Sequence, residues 1–202
     1  MIIHTFNNKL NDSLIGELCQ TIKSDKFLFP HKNSPVPIYS SFDYSLNAHF
    51  TPNVEDYYND RVREILDHLG LLDRTVVNVI KWCQIYNKSL GGFHDTHTHF
   101  SGDELLSWVH FVRTPQDQKC FYFMVKGERY YPDTQHTGDI IVFPSWALHG
   151  ADPVDDDTDR IIVSANISCR QYKELSTSNT SFVCNKKMRK DKLNKVWSME
   201  TL

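Results

Sequence analysis

Two histidine-containing stretches govern the interpretation of this sequence: residues 92–99 read GFHDTHTH, and residues 143–149 read FPSWALH. The first stretch places His97 and His99 at i and i+2, so an extended strand presents both imidazoles on one face, where they can bind a single ion. The best candidate for a third ligand is His149, in the second stretch. An HxH pair alone is a weak signal, but the second stretch and Arg160 after it strengthen the prediction of a metal site.

The remaining residues near the motif leave one alternative open. Asp95 lies on the predicted strand face of His97 and His99 and could replace one of them as a ligand. His94 alternates to the opposite face, so we expect a structural role for it. The same expectation holds for three further histidines, His68, His110 and His136.

The composition predicts one globular domain and no membrane span. The chain has 202 residues, 40% of them hydrophobic, and no apolar run approaches the length of about 18 residues that a transmembrane helix needs. We expect a single domain over residues 1–172 and a basic extension over residues 173–202. The first seven residues lack the basic and long apolar regions of a secretory signal, so the expected location is the cytoplasm.

The charge and the cysteine content exclude other classes of protein. The five cysteines are odd in number and never form a CxxC pair, which argues against a disulfide framework and against a thiolate zinc site. A net charge of −3 gives no bias toward nucleic acids. We do not expect a nucleic-acid partner, although positive charge near the C-terminus leaves that alternative open; it comes from Lys186, Lys187, Arg189, Lys190, Lys192 and Lys195.

The hydrophobic pattern changes from helical to extended along the chain. Residues 12–24, with Asp12 or Ser13 as the cap, and residues 54–70, ended by Gly70, have apolar side chains at helical spacing. Residues 27–53 are predicted to be loop with short extended pieces. From residue 75 onward, short β-branched and aromatic runs predict an all-β body, a sandwich or jelly roll with the two helices outside one sheet. The predicted strands are 76–86, 92–99, 105–113, 119–126, 138–143 and 160–168.

Residues 82–166 resemble the core of the Fe(II)/2-oxoglutarate-dependent oxygenases, in particular a bacterial and phage branch related to prolyl hydroxylases. The resemblance implies a double-stranded β-helix (a cupin-like jelly roll) and an iron-dependent dioxygenase that hydroxylates its substrate. It also implies Fe(II) bound by His97, His99 and His149, with 2-oxoglutarate and O2 as co-substrates. The matching elements are Trp82, Tyr86, Gly91, Phe93, the two histidines of the first stretch, residues 106–112, the second stretch and residues 160–166.

Within this resemblance, Arg160 is predicted to bind the distal carboxylate of 2-oxoglutarate, because a guanidinium group matches a carboxylate with two hydrogen bonds. Ser164 shares its strand face and could add a hydroxyl. Tyr86 lies close to where related prolyl hydroxylases have a tyrosine that contacts the co-substrate.

Three positions depart from the family pattern. His99 stands where most members have a carboxylate, although the branch resembled here often has HxH. Phe111 stands where relatives often have a tyrosine that hydrogen-bonds the co-substrate. Trp108 replaces a glycine that is usual in this branch. We expect Trp108 and Trp146 to lie in the core, although Trp108 could instead narrow or wall the substrate entrance.

Two other functions remain open at the level of sequence. One is a three-histidine cupin-like metal enzyme, a dioxygenase or isomerase, that does not use 2-oxoglutarate. The other is a non-catalytic jelly-roll binding module. The substrate is expected to be a small molecule or a peptide, selected by loops such as residues 27–53 and 100–105.

Overall fold

The helices and strands follow the predicted order along the chain. The computed structural model describes residues 2–23, 27–31, 34–42, 50–70, 76–100, 104–116, 118–169 and 180–183. Its elements are β1 (His4–Asn7), α1 (Asp12–Ile22), β2 (Leu28–His31), β3 (Ser34–Ser40), α2 (Pro52–His68), β4 (Val76–Tyr86), β5 (His94–His97), β6 (Glu104–Arg113), β7 (Phe121–Val125), β8 (Glu128–Tyr130), β9 (Asp139–Pro144), β10 (His149–Ala151), β11 (Arg160–Cys169) and β12 (Thr180–Val183).

The strands form two antiparallel sheets. Among the described residues, the larger sheet has eight strands, seven of them in the order β1-β9-β6-β11-β4-β3-β2, with β12 also paired to β4. The smaller sheet has four strands in the order β5-β10-β7-β8. The two short strands of the smaller sheet that carry the predicted ligands, β5 and β10, are therefore direct neighbours.

Alternation along the central strands of the larger sheet separates two cores. In β11, Ile161 and Val163 belong to the core that packs under α1 and α2, whereas Ile162 belongs to a second core between the two sheets. In β9, Val142 and Ile141 divide in the same way. Period-two alternation therefore places the helices on one face of the larger sheet and leaves the other face to the smaller sheet.

Both predicted helices are present, with one correction at a cap. The cap of α1 is Asn11, whose Oδ1 accepts a hydrogen bond of 2.9 Å from the backbone N–H of Leu14, and not Asp12 or Ser13. An asparagine oxygen at that position satisfies a backbone donor of the first turn. After α2, Gly70 adopts φ of 64° and its N–H bonds to the carbonyl of Asp67 at 2.8 Å, as a glycine stop requires.

The six predicted strands are confirmed with small differences at their ends, and the extended pieces expected within residues 27–53 are β2 and β3. Four short strands, β1, β8, β10 and β12, were not predicted. The predicted boundary at residue 172 and the basic side chains near the C-terminus lie outside the described residues. No helix among the described residues is both long and apolar enough to cross a membrane.

Candidate metal centre and acid pocket

The three predicted metal ligands converge on one point. His97 and His149 face each other directly in the pairing of β5 with β10. His99 lies two residues beyond the end of β5, where its backbone N–H bonds to the carbonyl of Ser145 at 2.9 Å. One ligand nitrogen from each of the three histidines lies within 4.8 Å of the other two.

Backbone carbonyls orient two of these imidazoles. His97 Nδ1 lies 2.7 Å from the carbonyl of Asp95, and His149 Nδ1 lies 2.8 Å from the carbonyl of Ala147. Because a carbonyl only accepts hydrogen bonds, each Nδ1 carries the hydrogen, and each Nε2 keeps its lone pair for a metal. Burial, reinforced by neighbouring His97 and His99, holds the pKa of His149 well below its ordinary value, so this ring is neutral, as a ligand must be.

The spacing of the nitrogens fits a metal ion. The Nε2 atoms of His99 and His149 lie 3.0 Å apart. Two nitrogens bound at right angles to one ion, with metal–nitrogen bonds of about 2.1 Å, are separated by about 3 Å. The distance between His99 and His149 therefore fits two adjacent ligands of one octahedral ion, and His97 supplies a third nitrogen within 4.8 Å of both.

A bulge in β5 corrects the predictions for His94 and Asp95. His149 pairs with His97 and Ala151 pairs with His94, so two steps along β10 correspond to three steps along β5. The alternation of β5 is therefore interrupted between His94 and His97. His94 is consequently buried and lines the same pocket as His97, not the opposite face. Asp95 is exposed and does not belong to the three-histidine cluster, so its carboxylate does not replace a ligand there.

Arg160 lies in the same pocket with an unpaired charge. Its side chain is 1% exposed, it pairs in register with Tyr86 of β4, and its guanidinium carbon lies 4.7 Å from the centre of the Tyr86 ring. Neither terminal nitrogen, Nη1 or Nη2, has a hydrogen-bond partner among the described residues. A buried charge without a partner costs several kcal/mol, so this guanidinium is suited to an anionic ligand.

The pocket has a volume of about 220 Å³ and is shared by the metal cluster and Arg160. Ser164, predicted to accompany Arg160, also lines it, as do Phe121 and Ile162 from the core between the sheets. Burial raises the pKa of Tyr86 to about 12 in spite of the nearby Arg160 cation, so the phenol keeps its proton. The lining of the pocket is thus about as polar as it is apolar, and its charged or metal-binding groups are a cation, a cluster of imidazoles and the carboxyl group of Glu104.

Two polar groups of the pocket were not predicted from the sequence. Gln84 is 2% exposed and its Oε1 accepts a hydrogen bond of 3.1 Å from the Tyr86 hydroxyl. Asn166 accepts a hydrogen bond of 2.8 Å from Ser107, whose hydroxyl also lies 3.1 Å from that of Ser145. The alternation of side chains along β4 and β11 could have indicated both residues. Gln84 lies on the same strand face as Tyr86, and Asn166 lies on the same strand face as Arg160.

Phe111 and Trp108, which differ from the residues usual in the family, lie in different parts of the structure. Phe111 is buried in the apolar core between the sheets, where it contacts Phe121 edge to face, and its phenyl ring offers no hydrogen bond. Trp108 lies in the core under the helices and stacks on Tyr58, as expected. Trp146 is 43% exposed, so the prediction of a core tryptophan was wrong there. Trp146 lies in the turn that follows β9.

Comparison with known proteins identifies the fold. The chain matches no protein-family model and no curated protein. Among solved structures, a prolyl-4-hydroxylase from Pseudomonas putida superposes with a TM-score of 0.57 at 16% identity, over 83% of this chain and 92% of that one. A viral collagen prolyl hydroxylase from Paramecium bursaria Chlorella virus 1, in a 2-oxoglutarate complex, gives 0.56 at 17% identity, over 83% and 96%. The fold is that of the Fe(II)/2-oxoglutarate-dependent oxygenases.

A third oxygenase structure has a peptide bound. It is a prolyl hydroxylase from Trichoplax adhaerens in complex with a fragment of the hypoxia inducible factor oxygen degradation domain, and it superposes with a TM-score of 0.55 at 12% identity, over 82% of each chain. The predicted mainly β, double-stranded β-helix architecture is confirmed by these matches. At such low identity they establish the oxygenase fold, and the roles of the site residues rest on the geometry of this chain.

Proposed function

We propose that this protein is an Fe(II)/2-oxoglutarate-dependent dioxygenase that hydroxylates a C–H bond of a small-molecule or peptidyl substrate. The observation that carries the proposal is the buried guanidinium of Arg160, which has two unpaired terminal nitrogens in the pocket of a three-histidine cluster. A keto diacid complements both features, since one end chelates a metal and the other is a carboxylate.

In this function, His97, His99 and His149 hold the iron. Three protein ligands on one side of an octahedral ion leave adjacent positions for a chelating keto acid and for O2. With iron bound, O2 would be the oxidant: one of its oxygen atoms would enter the succinate formed from 2-oxoglutarate with loss of CO2, and the other would enter the hydroxylated substrate. The neutral charge of the third imidazole leaves the site one unit more positive than a carboxylate ligand would.

The other pocket residues bind and enclose the co-substrate. Arg160 donates two hydrogen bonds to the distal carboxylate, and its strand neighbour Ser164 offers a hydroxyl on the same face. Phe121 and Ile162 exclude water from the pocket, which strengthens the ion pair between the guanidinium and the carboxylate. Phe111 contributes no hydroxyl, so the carboxylate depends more strongly on Arg160 than it would with a tyrosine at that position.

Two alternative functions fit these observations less well. A cupin-like enzyme that uses no keto acid has no need for an unpaired guanidinium beside its metal. A structural metal site is normally closed by four protein ligands, whereas the cluster found among the described residues has three.

The substrate class is supported by weaker observations. The Trichoplax adhaerens relative is in complex with a peptide, and here Phe100 is 52% exposed while it also lines the pocket, which suits an apolar contact with an extended substrate. Cys19, Cys83 and Cys120 are free thiols, which supports a reducing, cytoplasmic setting.

Turnover of 2-oxoglutarate tests the proposal. The protein supplied with Fe(II), O2 and 2-oxoglutarate labelled at C1 should release labelled CO2 and succinate, slowly without substrate and faster with it. Arg160→Met should lose this release, whereas Arg129→Met, which removes an exposed arginine paired with Asp152, should keep it. Equal release by the wild type and Arg160→Met would refute the carboxylate-binding role of Arg160.

A further inference from the structure

Gln84 bonds to two neighbouring residues of the pocket wall, Tyr86 and His94, whose rings also contact each other edge to face with 5.7 Å between their centres. Its Oε1 accepts the hydrogen bond from the Tyr86 hydroxyl at 3.1 Å, and its Nε2 lies 3.4 Å from Nε2 of His94. Tyr86 contacts the Arg160 guanidinium through its ring face, at 4.7 Å. The His94 ring packs edge to face on the metal ligand His97, with 5.4 Å between ring centres. Gln84 therefore bonds both to the residue that contacts Arg160 and to the residue that contacts the metal ligand His97.

The hydrogen atoms of this chain of contacts can be assigned from its partners. The Tyr86 phenol is protonated, because burial keeps its pKa high, and it donates to the amide oxygen of Gln84. The opposite end of the amide is then the –NH2 group, which only donates. This group lies 3.4 Å from both the Ser40 hydroxyl and Nε2 of His94, and its donation to that ring nitrogen selects the His94 tautomer with the hydrogen on Nδ1.

The assignment also determines what Tyr86 presents to a ligand. Its proton points to Gln84, so the phenol has no hydrogen left to donate to a carboxylate. Arg160 is then the donor for the distal carboxylate, and Tyr86 contributes its ring face beneath the guanidinium. This arrangement depends on the orientation of one amide group, which a buried side chain with fixed partners maintains.

We propose that Gln84 is a positioning residue of the pocket, which holds Tyr86 against Arg160 and fixes the tautomer of His94 beside His97, so that both ends of a bound keto acid meet side chains already in place. The benefit for binding arises because the protein does not have to order these groups when the ligand arrives. Only the identity of the ligand rests on the proposed function; the positioning of Tyr86 and His94 does not.

The tautomer of His94 provides a readout that is independent of activity. In the full-length protein loaded with diamagnetic Zn(II), nitrogen-15 NMR of the histidine side chains, assigned with His94→Gln, should show His94 protonated at Nδ1. Gln84→Glu replaces the –NH2 donor by an acceptor and should shift the hydrogen of His94 to Nε2. Gln84→Met should remove the hydrogen bond and change the Nε2 shift. Identical His94 nitrogen shifts in wild type, Gln84→Glu and Gln84→Met would overturn the inference.

A binding measurement separates positioning from general loss of packing. Calorimetric titration of the anaerobic Fe(II) protein with 2-oxoglutarate should give about tenfold weaker binding in Gln84→Met, with Fe(II) affinity changed by less than about twofold. The matched control is Gln135→Met, because Gln135 is also a buried glutamine, bonded to the backbone of Phe121 and Pro132. Equal weakening in both variants would overturn the inference. If the wild type binds no 2-oxoglutarate, the proposed function is wrong. The positioning role of Gln84 is then tested by the NMR measurement of the His94 tautomer alone.

Discussion

His99 and His149 stack nearly parallel, with 9° between their ring planes and 3.0 Å between their Nε2 atoms. The arrangement arises because the His99 backbone N–H bonds to the Ser145 carbonyl, while His149 begins the strand that follows the same turn. Because the hydrogen of His149 is held on Nδ1, its Nε2 keeps a lone pair. The place beside the two Nε2 atoms is therefore suited to a cation.

The wild type should accordingly bind one divalent ion per chain, and His97→Ala or His149→Ala should weaken that binding by more than about 100-fold, since even second-layer partners of metal ligands contribute about 10–100-fold. Competition titration with a chromophoric chelator measures the affinity. His136→Ala is the matched control, because its ring is exposed and lies outside the cluster. Unchanged affinity in both ligand variants would refute the assignment.

Asp95→Asn should leave the metal affinity unchanged. The exposed side chain of Asp95 lies outside the cluster, and its contribution is the backbone carbonyl that accepts from His97 Nδ1 at 2.7 Å. The substitution preserves this carbonyl and removes the carboxylate charge. A loss of affinity of about tenfold or more in the same chelator titration would restore Asp95 as a ligand.

Arg160→Met should make the ligand-free protein more stable. The substitution removes a buried charge whose terminal nitrogens have no partner among the described residues and replaces it with an apolar chain of similar length. The gain in the free energy of unfolding is expected to be about 1–3 kcal/mol, measured by urea denaturation. Saturating Zn(II) and 2-oxoglutarate should stabilise the wild type and not the variant. A less stable Arg160→Met protein would show that the guanidinium is already compensated.

Much of this site follows from sequence alone because successive side chains of the long strands alternate between the two faces of the larger sheet. Arg160 and Ser164 share a face of β11, and the order of the six predicted strands is correct. The convergence of His97 with His149 follows from the family resemblance, and the register that pairs them is visible only in the structure.

The remaining features depend on local irregularities that no periodic pattern contains. The bulge at Asp95 and Thr96 reverses the faces expected for His94 and Asp95. Strand β10 has three residues, His149–Ala151, one of them a glycine, so its composition does not favour a strand. Gln84 has no motif, and its role becomes apparent only when Tyr86 and His94 are seen on either side of it.

The stability of the protein should decrease in mild acid because of His110. This buried ring accepts from the Tyr58 hydroxyl at Nδ1, 2.9 Å away, and donates from Nε2 to the Asn8 carbonyl at 2.8 Å. Burial lowers the pKa of His110 from 6.5 to about 4. The unfolded chain therefore binds the proton more readily, so the contribution of His110 is complete above pH 6.5 and is lost as the pH falls toward 4.

The expected loss is on the order of 3 kcal/mol across that interval. Urea denaturation at several pH values should show it in the wild type, and His110→Gln should reduce the dependence to the part that comes from buried His149, although it lowers stability at neutral pH. His136→Gln removes an exposed imidazole and should keep the full dependence. The same slope in His110→Gln as in the wild type would assign the effect to other groups.

Gly150→Ala should disturb the metal centre through packing. A Cβ at this position would lie 2.8 Å from the His94 carbonyl and would also collide with the Tyr122 hydroxyl, so β10 must move away from β5. We expect a loss of about 1–3 kcal/mol in unfolding free energy and weaker metal binding. Gly16→Ala in α1 meets nothing within 4 Å and should stabilise the protein by up to about 1 kcal/mol. Wild-type stability in Gly150→Ala would show that the strands accommodate the methyl group.

The central claim is that one keto acid joins the three-histidine cluster to Arg160. Anaerobic titration of the Fe(II) protein with 2-oxoglutarate, followed by visible absorption, tests it most directly. We expect a metal-to-ligand charge-transfer band that saturates at one equivalent in the wild type and requires far higher 2-oxoglutarate concentrations in Arg160→Met. A wild-type Fe(II) protein that develops no such band, or a band with the same affinity in Arg160→Met, would contradict the account.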